Sequence, residues 1–268
     1  MIPIRQSHDA DLAAILAWLK LEYDRAGTGT GFWCNRSIVE QAHDDGRLVV
    51  ADDGDTDRAV AFQVGGLLHP GILEVRPDKR RMGFGRRLVE YCIARAKEDD
   101  ECVLHIDCRP VSSVPFWKGM GFHLFSDAFG ERCPSEFRNH AFRVLERSHT
   151  IASTGRASVP VDVCFRAESG TILSEVHTFG AQCSKRILLH ERVISYGPTY
   201  VFELGDTFVD VHVNGRELYS DKAKYPEAAA IGVQARGGGV YLIDELIMPR
   251  SVGRSPEHGS EEAIGHES

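Results

Sequence analysis

The stretch Val75-Arg76-Pro77-Asp78-Lys79-Arg80-Arg81-Met82-Gly83-Phe84-Gly85-Arg86-Arg87-Leu88 decides the fold of this chain. Its pattern predicts the end of a strand, a basic turn with two glycines, and a helix with one apolar face. Such a turn leaves backbone N–H groups without partners at the helix N-terminus, and glycines carry no Cβ to keep an anion away. The stretch therefore predicts a pyrophosphate site.

The charge of this turn supports the same interpretation. Six basic residues lie from Arg76 to Arg87 against one acid, Asp78, and their field adds to the dipole of the helix N-terminus. The alternative is a solvated helix start whose basic side chains face water, since short glycine motifs often occur by chance. The rest of the sequence favours the anion site.

Two motifs resemble the GNAT N-acetyltransferase superfamily. Its acyl-coenzyme A motif is Arg/Gln-x-x-Gly-x-Gly/Ala after a strand ending in Val-x-Pro, and Arg80, Gly83 and Gly85 fill its defining positions. The later stretch Phe116-Trp117-Lys118-Gly119-Met120-Gly121-Phe122 resembles the family's Phe-Tyr-x-x-x-Gly-Phe motif. Both motifs stand in the family's order and at its usual separation. The resemblance covers roughly residues 1–148.

The resemblance implies an α/β GNAT fold, a mixed and mostly antiparallel sheet flanked by helices, with acetyl-CoA as cofactor. In the family, main-chain N–H groups of the strand before the turn polarise the thioester carbonyl. The implied cofactor-binding residues are Leu73, Val75, Arg80, Arg81, Met82, Gly83, Phe84, Gly85 and Arg86. The region after the first helix implies that Phe32 and Trp33 line the acceptor mouth, although both rings suit a core position equally well.

Acetyl transfer to an amine needs a proton acceptor, and the sequence offers several. Glu74 is the nearest carboxylate on the motif strand, where some GNAT enzymes have a catalytic glutamate. Asp107 and His105 on the next predicted strand, and His69 before the motif strand, are the alternatives. A strand carboxylate is more often solvated or ion-paired, and alternation does not show which face of the strand meets substrate.

The proton donor for the thiolate is less defined, because Trp117 stands where the family often has a catalytic tyrosine. An indole N–H donates a hydrogen bond but does not deliver a proton as a phenol does. Pro110 and Ser113 replace the family's usual Asn and Ala. Water, Ser112 or Ser113 then serves as the donor, or the thiolate leaves unassisted.

Composition and charge exclude several classes of protein. The chain has 268 residues, 43% apolar and 26% charged, which suits two modest globular domains. The formal charge is −8, and neither half is basic, with 20 basic and 23 acidic residues up to position 150 and 11 and 16 beyond. We therefore expect no nucleic-acid partner. Without a signal sequence or a long apolar run, we expect no membrane association and a cytoplasmic protein with buried, reduced cysteines.

The pattern changes after the first domain, which we assign to residues 1–148. A polar stretch, 148–158, reads as a linker, and residues 159–249 show short β runs separated by turns. These runs are 159–165, 172–179, 187–196, 200–204 and 208–213, with Asn214-Gly215 as a hairpin turn and 237–239 as another turn. They predict an antiparallel sandwich or jelly roll that faintly resembles lectin-like or laminin-G-like modules. Residues 250–268 are predicted to be disordered.

The leading interpretation is an acetyl-CoA-dependent N-acetyltransferase that acts by direct attack of a primary amine. The acceptor is a small molecule or a lysine side chain, and the β domain aids substrate recognition or forms a homodimer. Two alternatives remain open. One is a non-catalytic acyl-CoA sensor, which the substitutions at Pro110 and Trp117 favour; the other is a carbohydrate- or protein-binding protein dominated by its β module.

Overall fold

The computed structural model describes residues 2–26, 32–54, 58–68, 71–133, 135–145, 157–196, 205–236 and 240–248. The predicted linker, the predicted strand at 200–204, the turn at 237–239, the tail 250–268 and His69 lie largely or wholly outside these ranges. The described residues fall into two units, one up to residue 145 and one from residue 157 onward. Among the helices in these ranges, none is both long and apolar enough to cross a bilayer.

The N-terminal unit is an α/β structure, as the sequence predicts. Within the described ranges its strands are β1 (Ile4–Gln6), β2 (Val49–Asp52), β3 (Ala59–Val64), β4 (Ile72–Val75), β5 (Val103–Asp107), β6 (His123–Leu124) and β7 (His140–Val144). Its α-helices are α1 (Asp9–Ala26), α2 (Arg36–Asp44), α3 (Phe84–Glu98), α4 (Val114–Gly119) and α5 (Phe125–Phe129).

The strands of this unit form two sheets that separate between β4 and β5. The first sheet is antiparallel in the order β1-β2-β3-β4, and the second is antiparallel in the order β5-β7-β6. All six residues of β3 are buried, because helices cover both faces of this strand. Apolar side chains of α3, including Leu88, Val89 and Cys92, are buried against the sheets. β4 and β5 are thus neighbouring sheet edges with space between them.

The C-terminal unit is a separate antiparallel β structure. Its described elements are β8 (Ser158–Ala167), β9 (Ile172–Cys183), β10 (Arg186–Tyr196), β11 (Thr207–Val213), β12 (Arg216–Lys222), β13 (Gln234–Ala235), β14 (Val240–Ile247) and the short helix α6 (Pro226–Ala230). The strands make one continuous, curled sheet in the order β12-β11-β8-β9-β10-β14-β13. Alternate side chains of β8 and β11 are buried in the apolar core of the C-terminal unit.

The hairpin turn predicted at Asn214-Gly215 is confirmed. Both residues have positive φ, 53° and 71°, which is the backbone of a type I′ turn, and the turn joins β11 to β12. Sequence analysis missed β12 itself and α6, since neither has a continuous apolar pattern. The other predicted strands of this unit that fall in the described ranges occur with boundaries that differ by a few residues.

Candidate active site

A cavity of about 820 Å³ lies in the N-terminal unit between β4 and β5. Its walls come from both strands, the N-terminus of α3, and the segment that leads from β5 into α4. The volume is within the range of small-molecule sites. Since each of the two strands ends its sheet, main-chain groups on these edges are not used by a neighbouring strand.

The main chain of β4 presents polar groups to this cavity. Arg76 donates its N–H to the Val60 carbonyl of β3 at 2.9 Å. In an antiparallel ladder, consecutive residues direct their N–H and C=O groups to opposite sides, so those of Leu73 and Val75 point away from β3. Leu73 and Val75, both predicted cofactor contacts, also line the cavity.

An ion pair between Glu74 and Arg80 covers the polar main-chain groups of Val75. The Val75 N–H donates to Glu74 Oε1 at 2.9 Å, and Arg80 Nε donates to the Val75 carbonyl at 3.0 Å. Arg80 Nη2 lies 3.1 Å from Glu74 Oε1 and 3.3 Å from Glu22 Oε1. Burial raises the pKa of the Glu74 carboxyl, and the Arg80 charge opposes that shift. Glu74, predicted as the base, is therefore engaged with Arg80 in this structure.

The turn after β4 ends in an anion-binding geometry at the start of α3. Gly83 has φ 92°, a left-handed conformation that L side chains rarely adopt. The Arg87 N–H donates to the Gly83 carbonyl at 3.0 Å. The N–H groups of Phe84, Gly85 and Arg86 precede that first helical bond and have no partner within the helix. These three residues line the cavity, and their N–H groups suit the oxygens of a phosphate.

The two glycines of the turn have different surroundings. A Cβ on Gly83 would have only the Ile2 side chain within 4 Å, at 3.9 Å, so the space beside it is open to a ligand. A Cβ on Gly85 would lie 3.4 Å from Phe116 and 3.5 Å from Val75, which both line the cavity. Gly83 thus allows an anion to approach the backbone, and Gly85 keeps the space between α3 and α4 open.

The six basic side chains of the turn are not equivalent. Arg76 pairs with Asp78 at 2.7 Å, Lys79 with Asp53 at 2.7 Å, and Arg87 with Glu90 at 3.0 Å. Arg80 pairs with two glutamates, as described above. Within the described part of the chain, Arg81 and Arg86 make no ion pair, and both line the cavity. Met82, a predicted cofactor contact, is 58% exposed and is not among the lining residues.

The far wall of the cavity contains the residues that depart from the family motif. Trp117 on α4 is 7% exposed and packs edge-on against Phe116 and Phe122, with centroids 5.0 and 5.3 Å away. It lines the cavity together with Pro110, Ser112 and Ser113. Among the described residues, Ser113 Oγ is buried and has no hydrogen-bond partner.

Two predicted proton acceptors stand on β5. Asp107 lines the cavity, and its Oδ2 pairs with Arg109 Nε at 2.8 Å. His105 lines the same cavity, and its main-chain N–H donates to the Leu67 carbonyl at 3.0 Å. Sequence analysis singled out neither His140, which joins this group from β7, nor Glu22, which contacts Arg80. Only the register of β5 with β7, which places His140 opposite Asp107, would have indicated His140.

The two aromatic residues predicted for the acceptor mouth separate in the structure. Phe32 lines the cavity, together with Asn35 and Ile38. The ring of Trp33 lies instead under two cations, 5.8 Å from Lys20 Nζ and 5.1 Å from Arg36 Cζ, and is not among the lining residues. Phe32 alone of the pair is placed to contact a ligand.

Comparison with protein families accounts for this architecture. The model of the acetyltransferase (GNAT) family matches residues 12–122, a range that includes α3, the turn before it, β5 and α4. Residues 12–122 form a GNAT acetyltransferase domain. The two sheets that separate at β4 and β5 are the fold of this GNAT domain, and its defining glycines line the cavity. No curated protein sequence gives a significant match to the chain.

Several solved structures are similar to part of this chain. A GNAT-family acetyltransferase from Staphylococcus aureus Mu50 is 14% identical with a TM-score of 0.41, over 54% of this chain and 99% of that one. YhbS from Escherichia coli, in complex with CoA, is 18% identical with a TM-score of 0.39, over 54% and 81%. PaiA from Thermoplasma acidophilum, in complex with coenzyme A, is 12% identical with a TM-score of 0.40, over 54% and 99%. At these sequence identities and TM-scores, the structural similarities establish neither the reaction of this chain nor its acceptor.

Proposed function

We propose that the GNAT domain is an acetyl-CoA-dependent N-acetyltransferase that acts on a primary amine by direct attack. The observation that carries the proposal is the cavity itself, which runs from the unpaired N–H groups at the start of α3 along the edge of β4. Acetyl-CoA supplies an activated acyl group when bound. Its phosphates suit the backbone at Gly83 and the cations of Arg81 and Arg86.

The cavity residues support direct attack. A covalent route needs an activated nucleophile such as a thiolate. Among the described residues that line the cavity there is no cysteine, and burial raises the pKa of both Cys92 and Cys108 to about 12. The outward N–H group of Leu73, and that of Val75 once it is released from Glu74, supply donors for a developing oxyanion on the thioester. The acceptor nitrogen is then the only nucleophile required.

The test is the release of free thiol from acetyl-CoA across a panel of small primary amines and lysine peptides. Turnover with at least one amine supports the enzyme. Acetyl-CoA binding by calorimetry without turnover on the whole panel would support the non-catalytic sensor instead. Binding of the full chain to a glycan array, without binding of acetyl-CoA, would support the alternative in which the β module dominates.

Phe32 provides a prediction about the acceptor mouth. Phe32→Ala removes an aromatic wall from the cavity, so we expect the acceptor KM to rise about tenfold, as for the loss of roughly 1–2 kcal/mol of apolar contact. The KM for acetyl-CoA should change less than twofold. Trp33→Ala is the matched control, because it truncates an adjacent aromatic ring that does not line the cavity. Equal effects of the two substitutions on the acceptor KM would refute this role of Phe32.

For the C-terminal unit we propose the role inferred from the sequence, substrate recognition or homodimer formation. Its apolar core is formed by its own strands and α6, which supports independent folding. A shortened chain that ends at Arg147 is expected to bind acetyl-CoA with unchanged affinity while losing acceptor affinity or dimerisation. Calorimetry and sedimentation measure both properties. An insoluble product would show that the two units depend on each other for folding.

A further inference from the structure

Two histidines and a carboxylate are brought together beside the cavity by the pairing of β5 with β7. Along β5, Leu104 and Ile106 are buried, and His105 and Asp107, which belong to the opposite face, are partly exposed. His105, Ile106 and Asp107 all line the cavity. His140 lies across from Asp107 in the antiparallel register. His105 Nε2 is 2.9 Å from His140 Nδ1, and His140 Nε2 is 4.0 Å from Asp107 Oδ2.

The surroundings of His140 separate it from solvent. It is 6% exposed, and the rings of Phe137 and Phe125 lie 4.9 and 6.2 Å from its centroid. His105 also packs on Phe125, at 5.3 Å. Among the described residues, Asp107 Oδ1 is buried without a hydrogen-bond partner. Asp107 thus lies close enough to help balance a positive charge that arrives on His140.

A hydrogen bond between two imidazoles can pass a proton. One ring must donate and the other accept, and each neutral ring has one nitrogen of each kind. A proton gained by His105 at Nδ1 allows its Nε2 proton to move to His140 Nδ1. The His140 Nε2–H then lies near the Asp107 carboxylate. The pair can therefore hold the proton on His140, away from the cavity. A single imidazole beside the cavity could not.

We propose that His105 is the proton acceptor for the attacking amine, with His140 and Asp107 as positioning residues that share the charge. The proposal rests on the proposed acetyl transfer. As the C–N bond forms and the C–S bond breaks, the nitrogen loses a proton to His105 and the sulfur takes the electron pair. The thiolate gains a proton from water, and the pair later releases its proton to water. Glu74 takes no part in this proton transfer.

The test compares substitutions in the full chain with the amine that gives the highest turnover. His105→Gln places an amide near the position of Nε2 but accepts no proton, so we expect kcat to fall about 100-fold. The acceptor KM and the acetyl-CoA affinity should change less than threefold. His140→Asn keeps an amide near Nδ1, and we expect a smaller, roughly tenfold, loss of kcat. His123→Gln, an exposed histidine on β6 outside the cavity, should leave kcat unchanged.

The pH profile separates proton transfer from a structural effect. The charged described residues that line the cavity with His105 include Asp107 on β5 and Arg109 just after it, with Glu74 and Arg80 on the β4 side. We expect the acid limb of kcat to disappear in His105→Gln and to shift in His140→Asn and Asp107→Asn, whereas it remains in Glu74→Gln. A His105→Gln protein with normal kcat, or an acid limb lost only in Glu74→Gln, would overturn the proposal. Absence of turnover in the unsubstituted protein would instead refute the enzyme function, and this proposal with it.

Discussion

Replacement of Gly83 by valine is expected to abolish the binding of acetyl-CoA, with a loss of at least 100-fold in calorimetry. The side chain at this position would enter the open space beside the N–H groups of α3, where we propose that a phosphate binds. Its nearest protein neighbour is 3.9 Å away, so the free protein has room for the added atoms. The φ of 92° adds strain, which lowers stability as well.

Gly54→Val is the matched control for this substitution. Gly54 also has a positive φ, 77°, with nothing within 4 Å of an added Cβ, and it does not line the cavity. Both substitutions introduce similar backbone strain, but only Gly83→Val places atoms at the proposed phosphate site. Equal affinity for acetyl-CoA in the two folded variants would show that the turn does not bind the cofactor.

Truncation of Trp117 is expected to have the second-largest effect. Trp117→Ala leaves a void beside Phe116 and Phe122, so the free energy of unfolding of the N-terminal unit should fall by about 3–5 kcal/mol. Turnover should fall too, because the wall of the cavity is lost. Trp117→Phe keeps an aromatic ring but removes the indole N–H. Turnover should therefore fall only by the equivalent of about 1 kcal/mol, near the value of one neutral hydrogen bond. Calorimetric unfolding and thiol release measure the two effects.

The pH profile and a tyrosine variant extend this test. An indole has no phenolic proton, so the alkaline limb of the rate should lack a tyrosine-like ionisation near pH ~10. Trp117→Tyr should leave the rate within a few-fold, provided that protonation of the thiolate does not limit turnover. A Trp117→Phe protein that folds and binds acetyl-CoA normally but has no turnover would contradict a positioning role for the ring.

The GNAT fold was predictable because its signals are local in sequence. The turn from Val75 to Leu88 carries its glycines, its charges and the apolar face of α3 within 14 residues. The hairpin at Asn214-Gly215 was predictable for the same reason. β12 was not, since it is an edge strand with mostly exposed side chains and therefore lacks an alternating apolar pattern.

The missing parts of the candidate site depend on pairing across long separations. Glu22 reaches Arg80 from 58 positions away, and His140 meets His105 from 35 positions away. Each contact depends on where a helix lies or on how two strands pair in the folded chain. The presence of a glutamate or a histidine in the sequence does not by itself indicate such a contact. The base predicted at Glu74 shows the same limit, because its pairing with Arg80 depends on the path of the turn.

The ion pair over Val75 has a consequence for the order in which the substrates bind. Glu74 and Arg80 occupy the main-chain N–H and carbonyl of Val75, which a ligand lying along the β4 edge would need. In the proposed reaction, entry of acetyl-CoA would therefore release both side chains, and the freed Glu74 carboxylate would attract a cationic amine. We expect compulsory-order kinetics with acetyl-CoA as the leading substrate, so that a dead-end amine analogue inhibits uncompetitively against acetyl-CoA. Noncompetitive inhibition against acetyl-CoA, together with competitive inhibition against the amine, would indicate random addition.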